Sequence, residues 1–330
     1  MITLPGWRYY RNLTLLLVAG IVSLFASSRA YSEPIHWLWA VPIFYLAWLV
    51  WGAFSFTHPR RMRYWTLAGP EFASPVYEKI LFKSRDGLIL FGWYLPGRNR
   101  AALILAHGLG SSGLAMQVHA APLVRAGYSV FLIDLRAHAS SDGDTSTYGV
   151  LEANDIAGAV DYLLARKDVD PDKIGVLGIS LGAQSALRGA LQSEAIRALV
   201  LEGLGPASIE DRIRPASVQE RGKKLLMLWN KIVYTVILFE QWVFNFFSGQ
   251  CPTPLTAEVG KIVPRPILLI ACGKHEIDCN RRFQAAAQES CTLWELPKAR
   301  HAAALAYEPH EYPTRIIAFF DAAMQLNRES

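Results

Sequence analysis

The residues best suited to chemistry lie in one short motif, Gly178-Ile179-Ser180-Leu181-Gly182. An apolar, strand-like run precedes it and a helix-like stretch follows it, so the chain is predicted to turn sharply at Ser180, exposing the hydroxyl and straining the backbone. Gly178 and Gly182 fit this interpretation, because side chains two residues before and after the serine would collide across the turn. The free N–H groups of the following helix would stabilise negative charge beside the serine. We therefore predict that Ser180 is a nucleophile.

The elements that must position this serine alternate along the chain. A β-hairpin is predicted over residues 76–95, and strand-like and helix-like runs follow it. The strands are predicted at 101–106, 129–135, 174–179, 198–201, 267–271 and 292–296, and the helices at 114–126, 151–166, 181–192, 282–289 and 309–324. This alternation indicates an α/β fold with a mostly parallel sheet covered by helices on both faces. Ligands bind such sheets at the carboxyl ends of the strands, where Ser180 falls.

Four motifs in order carry a family resemblance. Phe82-Lys83-Ser84-Arg85-Asp86-Gly87 is followed by Gly92-Trp93-Tyr94, then by His107-Gly108-Leu109-Gly110, and then by the Ser180 motif. Over roughly residues 76–325 the chain resembles the α/β-hydrolase family, in the branch of serine hydrolases allied to dienelactone-hydrolase and prolyl-oligopeptidase-like enzymes. The resemblance implies an α/β-hydrolase fold with a helical cap insertion and a Ser-His-acid triad.

The same resemblance implies an oxyanion hole. In the family, the residue after a His-Gly turn supplies one backbone N–H and the residue after the nucleophile supplies the other, which here are Leu109 and Leu181. Two such amides stabilise a tetrahedral oxyanion by several kcal/mol, about 3 kcal/mol each. His107 itself is expected to be structural.

The general base is expected after the last strand, where His301 stands. Its imidazole titrates near neutrality, so it can take the Ser180 proton and return it to a leaving group. His310 is the weaker alternative, because it opens a helix.

The triad acid is expected after the strand at 267–271. The family pattern there is glycine, two residues, then aspartate, and this chain has Gly273-Lys274-His275-Glu276. Glu276 is preferred. Asp278 is the alternative, although it can instead cap a helix beginning near Arg281. Glu202, after the preceding strand, is a third candidate. The acid would hold His301 in the right tautomer and stabilise its charged form.

One loop departs from the family pattern. Where relatives carry Asp-x-Arg-Gly-x-Gly-x-Ser, this chain has Asp134-Leu135-Arg136-Ala137-His138-Ala139-Ser140-Ser141. Alanine resists a positive φ at a cost of about 1–2 kcal/mol. The loop is therefore expected to be reshaped.

Residues of about 205–262 form an insertion in the usual position of a cap. Within it, 225–247 is strongly apolar. A membrane span here would put Glu276 and His301 across the bilayer from Ser180, so we expect a cap helix or helix pair that shields the site. Two alternatives stay open: the cap contacts lipid, or it is an ordinary cap packed on the domain core.

The first 65 residues differ from the rest. They contain the whole net charge of +5, as six arginines against Glu33. Two uncharged apolar runs, about 12–28 and 35–57, are separated by a short linker, which is typical of a transmembrane helical hairpin. The flanking arginines predict that both ends, and the catalytic domain, are cytoplasmic. In an alternative reading the first run is a cleaved signal peptide ending near Ser28.

These observations predict a membrane anchor over residues 1–65 and a hydrolase domain over 66–330. The excess of basic over acidic residues is confined to the predicted anchor, so it does not indicate a nucleic-acid partner. The cysteines show neither zinc-site spacing nor a disulfide framework, and no metal or cofactor is expected. They are Cys251, Cys272, Cys279 and Cys291.

The predicted function is a membrane-anchored serine hydrolase of the carboxylesterase or lipase type. It would cleave a small-molecule or lipid-like ester or thioester through an acyl-enzyme. Peptidase or acyltransferase chemistry would use the same residues. A catalytically idle hydrolase fold serving as a membrane scaffold is the alternative from another class.

Overall fold

The computed structural model describes residues 37–61, 69–208, 211 and 239–326, and these contain a sheet of eight strands. In chain order the strands are β1 (Glu78–Lys83), β2 (Ile89–Leu95), β3 (Ala102–Ala106), β4 (Ser129–Ile133), β5 (Ile174–Ile179), β6 (Ile196–Glu202), β7 (Ile267–Cys272) and β8 (Cys291–Leu296). Their spatial order is β1-β2-β4-β3-β5-β6-β7-β8. The β1–β2 and β2–β4 pairs are antiparallel and the other five pairs of this sheet are parallel. The predicted α/β class with a mostly parallel sheet is therefore confirmed.

The central strands are apolar on both faces. Every residue of β3, β4, β5 and β7 is buried, as expected of parallel strands that helices cover from both sides. The edge strand β1 is exposed at four of its six positions. The continuous apolar runs in the sequence therefore correspond to the middle of the sheet.

Helices cover the two faces of this sheet. In chain order the helices are α1 (Trp37–Thr57), whose buried apolar residues belong to neither face of the sheet, and then those that cover it: α2 (Gln117–Arg125), α3 (Glu152–Leu164), α4 (Leu181–Gln192), α5 (Leu255–Val259), α6 (Gly273–Ala287), α7 (Ala304–Tyr307) and α8 (Glu311–Ala323), with 3₁₀ turns at Gly113–Met116 and Gln288–Ser290. Ile156 of α3 and Leu187 of α4 belong to the apolar cluster on one face. Leu123 of α2 and Phe320 of α8 belong to the cluster on the other.

The predicted membrane hairpin is wrong. No helix in the described part of the chain has the length and apolar content to cross a bilayer, which overturns the prediction of a two-span membrane protein with a cytoplasmic catalytic domain. The first predicted span, 12–28, lies outside the described residues. The second, 35–57, corresponds to α1.

Packing accounts for the apolar residues on one face of α1. Residues 239–248, which we call the cap helix, lie against it. Leu49 and Ala53 of α1 are buried with Val243 of the cap helix, and the Tyr45 hydroxyl donates a hydrogen bond of 2.8 Å to Glu240. Protein side chains therefore cover one face of α1.

The end of α1 is also attached to the hydrolase domain. The amide of Ser146 donates to the carbonyl of Thr57 over 2.7 Å, and the Arg61 guanidinium donates to the carbonyl of Ser141 over 2.7 Å. Ser146 and Ser141, the domain residues in these two hydrogen bonds, both lie in the loop that follows β4. The boundary predicted at residue 65 stays a prediction.

Candidate active site

Ser180 sits on a strained turn between β5 and α4. Its backbone has a φ of 55° and a ψ of −111°, which is outside the regions that non-glycine residues normally occupy. A Cβ at Gly178 would lie 2.2 Å from the carbonyl oxygen of Gly182, and one at Gly182 would lie 2.1 Å from the carbonyl oxygen of Ala106. Both positions therefore require glycine. At Gly178 the collision is across the turn, as the motif predicted, whereas at Gly182 it is with the end of β3.

The imidazole of His301 reaches this serine from the loop after β8. Its Nε2 lies 2.9 Å from the Ser180 Oγ. Gly203, at the end of β6, has a φ of +65°, and a Cβ there would lie 2.9 Å from the His301 Cε1. A side chain at position 203 would thus displace the imidazole. No local motif in the sequence marks this glycine.

Glu276 contacts the other imidazole nitrogen. Its Oε1 lies 2.5 Å from the His301 Nδ1, and its Oε2 accepts a hydrogen bond of 2.8 Å from the amide of Cys272. Asp278, the alternative acid, is exposed on α6. The helix begins at Gly273, so Asp278 lies inside it and does not cap a helix starting near Arg281, as the sequence had suggested.

These contacts control the charge on the imidazole. The hydrogen bond with Glu276 raises the pKa of His301 above its ordinary value, although burial acts in the opposite direction. The negative charges of Glu276 and Glu202 add to the increase. An imidazole in this setting accepts a proton readily, as a general base must.

Glu202, the third candidate acid, has other partners. It is fully buried, and its carboxylate accepts hydrogen bonds from the Ala304 amide at 2.9 Å and the Tyr312 hydroxyl at 2.8 Å. Its backbone carbonyl accepts the Ser180 amide at 2.8 Å. Burial raises the pKa of Glu202. Glu202 therefore connects the segment after His301 to the serine turn through hydrogen bonds. Tyr312 takes part in this connection, and no sequence motif predicted its role.

The two predicted oxyanion donors flank the serine. A Cβ on Gly108 would lie 3.4 Å from the Ser180 Cβ, so the turn carrying Leu109 lies directly against the nucleophile. Leu181 is the first residue of α4, and an amide at that position has no acceptor within its own helix. Leu109 and Leu181 therefore both lie beside Ser180 in the structure.

His107 and His310 lie apart from this cluster. His107 is fully buried, its Nδ1 lies 2.7 Å from the Gly108 carbonyl oxygen, and its Nε2 accepts the Leu135 amide at 3.2 Å. Burial lowers the pKa of His107 to about 3, so it stays neutral. His310 is exposed immediately before α8. His107 thus occupies a structural position, as predicted.

The loop after β4 has a positive φ at both alanines that stand where the family pattern has glycine. Ala137 and Ala139 both have positive φ, 61° and 40°, so the prediction of a reshaped loop was wrong. Neighbouring contacts compensate the strain. The Arg136 guanidinium pairs with the buried Asp155 at 2.6 Å and with Asp86 at 2.8 Å, and the Ala137 amide donates to the Asp142 carbonyl at 2.9 Å.

Comparison with known proteins agrees with this architecture. The profile of the Alpha/beta hydrolase family matches residues 103–318, which is more than half of the chain and includes Ser180, Glu276 and His301. Solved structures with the same fold include the Pyrococcus furiosus esterase Pf2001, with a TM-score of 0.63 at 24% identity over 80% of this chain and 97% of that one.

Curated relatives match over a shorter region. An uncharacterised protein of Mycobacterium tuberculosis strain H37Rv is 32% identical over 147 residues, which cover 42% of this chain and 51% of the relative. The uncharacterised protein YfhR of Salmonella typhimurium is 32% identical over 161 residues, covering 42% of this chain and 54% of the relative. The chain thus spans about half the length of the curated relatives it matches.

Proposed function

Because the chain belongs to the alpha/beta hydrolase family, we propose that it is a serine hydrolase that cleaves a lipophilic carboxylic ester or thioester. One observation carries the proposal. Ser180, His301 and Glu276 form a continuous hydrogen-bonded chain, with 2.9 Å between Oγ and Nε2 and 2.5 Å between Nδ1 and Oε1. This is the arrangement in which a base activates a hydroxyl and an acid orients the base.

In the first step, the Ser180 Oγ attacks the carbonyl carbon of the ester. Its proton passes to the His301 Nε2, a bond forms between Oγ and carbon, and the carbonyl electron pair moves to oxygen. The exposed position of Oγ on the turn supports this role, because a hydroxyl held at the end of a strand can meet a substrate without moving the backbone.

The resulting oxyanion would be stabilised by the amides of Leu109 and Leu181. Collapse of the intermediate breaks the bond to the alcohol or thiol, and the imidazolium returns its proton to that leaving group. Water then attacks the acyl-serine by the same route, with His301 again as the base. The released acid leaves Ser180 free.

Glu276 holds the proton of His301 on Nδ1, so that Nε2 faces Ser180 as an acceptor. The carboxylate itself is fixed by the Cys272 amide at the start of α6, where the helix N-terminus favours negative charge. It also stabilises the imidazolium that forms in each step.

A fluorophosphonate probe and p-nitrophenyl acetate test this proposal. The wild-type protein should be labelled and should hydrolyse the ester, while Ser180→Ala, folded by circular dichroism, should be unlabelled and retain less than about one part in a thousand of the activity. Ser193→Ala, at the other end of α4, is the matched control and should behave as wild type.

Folded wild-type protein that neither binds the probe nor cleaves the ester would contradict the proposal. It would favour the idle scaffold instead. A third outcome is that Ser180 is labelled and esters are not hydrolysed, but a peptide is cleaved or an acyl group is transferred to an alcohol. The triad would then stand, and the proposed reaction would change.

A further inference from the structure

A cavity of about 350 Å³ lies between α1, the cap helix and two loops of the hydrolase domain. Trp48, Gly52 and Phe56 line it from α1, and Phe244 lines it from the cap helix. Its volume falls within the range of small-molecule sites, about 300–1,000 Å³. The helix that the sequence suggested as a membrane span therefore forms one wall of this cavity, which is partly open to solvent beside Trp48 and Phe56.

The cavity is close to the triad along the chain. Gly203 packs against the His301 ring, and Pro206 lines the cavity. Three residues of extended chain span at most about 11 Å. Pro206, in the cavity wall, therefore lies within about 11 Å of Gly203, which contacts the His301 ring. The intervening Gly205 is tied to the serine helix, because its carbonyl accepts the Gln184 amide group at 3.2 Å.

The walls suit an apolar occupant. Tyr148 packs edge-on against Phe244, with ring centroids 4.7 Å apart, and also contacts Phe56 at 6.4 Å. The carboxylate of Glu240, which borders the cavity, already accepts the Tyr45 hydroxyl. A ligand here would therefore meet mainly aromatic and aliphatic surface.

We propose that this cavity binds the long apolar chain of the ester, so that α1 forms part of the substrate site. The inference rests on the proposed function and adds the substrate class and the element that selects it. The chain lies along the segment from Gly203 to Ala207, with the ester carbon at Ser180.

Gly52 allows a direct test. A Cβ built on it has nothing within 4 Å, so a side chain added at this position begins in open space beside the cavity. Gly52→Phe should lower kcat/KM for p-nitrophenyl decanoate about tenfold or more and leave p-nitrophenyl acetate within about twofold. Gly52→Ala should have little effect. Leu46→Phe, at an exposed position of the same helix, is the matched control and should change neither substrate.

A second series, decyl acetate against ethyl acetate, places the chain on the alcohol side of the ester. Selective loss with Gly52→Phe in either series supports the cavity assignment. If Gly52→Phe cleaves both long-chain esters as wild type does, the assignment is overturned while the hydrolase proposal stands. If wild type is neither labelled by fluorophosphonate nor active on acetate esters, the proposed function fails and this inference fails with it.

Discussion

Glu276 occupies its position because a glutamate can do two things there at once. It lies in the first turn of α6, and its longer side chain folds back so that one oxygen accepts the Cys272 amide while the other meets His301. An N-terminal carboxylate of this kind also interacts favourably with the helix dipole. The extra methylene relative to aspartate therefore supplies the reach that this geometry needs.

Replacing Glu276 by glutamine should separate its role from that of Asp278. We expect Glu276→Gln to lower kcat about 10³–10⁴-fold on p-nitrophenyl acetate, because the neutral amide no longer holds the imidazole proton or stabilises the imidazolium. Asp278→Asn removes a charge from the exposed face of the same helix and should stay within about twofold. The reverse order of the two losses would contradict the assignment.

The same variant has a pH signature. Because Glu276 raises the pKa of His301, the neutral base is present only above that pKa, and kcat/KM should fall as pH drops through it. Glu276→Gln removes the main cause of the increase, so the acid limb of its residual activity should move to lower pH. An unmoved limb would mean that the two groups do not interact during turnover.

At the scale of elements, the turn between β5 and α4 depends on close backbone approaches. Gly178 and Gly182 leave no room for a methyl group, and the contacting atoms are backbone carbonyls that cannot rotate away. The sequence predicted this requirement because a strand, a turn and a helix within a few residues form a local unit. It did not reveal Gly203, because the imidazole it accommodates lies far away along the chain.

Gly182→Ala should therefore lower the free energy of unfolding by about 1–3 kcal/mol, since the new methyl must push α4 away from β3. Urea denaturation measures this directly. Gly205→Ala is the control, because a Cβ there has nothing within 4 Å, and it should change stability by less than about 0.5 kcal/mol. Equal effects of the two variants would show that the close approach at Gly182 costs little.

At the scale of the whole molecule, α1 joins the cap helix to the loop after β4. Ala53 is buried against the cap helix, whereas Leu46 is exposed at 45%. Periodicity alone did not separate these faces, because the run from 37 to 57 is apolar all round. Such a run is compatible with lipid or with protein as its neighbour. The observed contacts show protein as the neighbour of the face that carries Ala53.

Charges placed on the two faces of α1 should have different effects. Ala53→Asp buries an unpaired carboxylate, so amide hydrogen exchange in residues 37–61 should accelerate and the melting temperature should fall by several degrees. Leu46→Asp should leave both nearly unchanged. A larger effect from Leu46→Asp would show that its face is covered in solution and would contradict the packing described here.

The sequence by itself determined the order of strands and helices and the location of Ser180, because apolar periodicity and glycine spacing act over a few residues. It also indicated His301 as the candidate general base, because this histidine follows the last strand. Only the tertiary structure shows that Glu276, and not the exposed Asp278, contacts the imidazole, because that depends on where α6 begins. The same holds for α1 and for the left-handed alanines of the β4 loop, where distant contacts outweigh local preference.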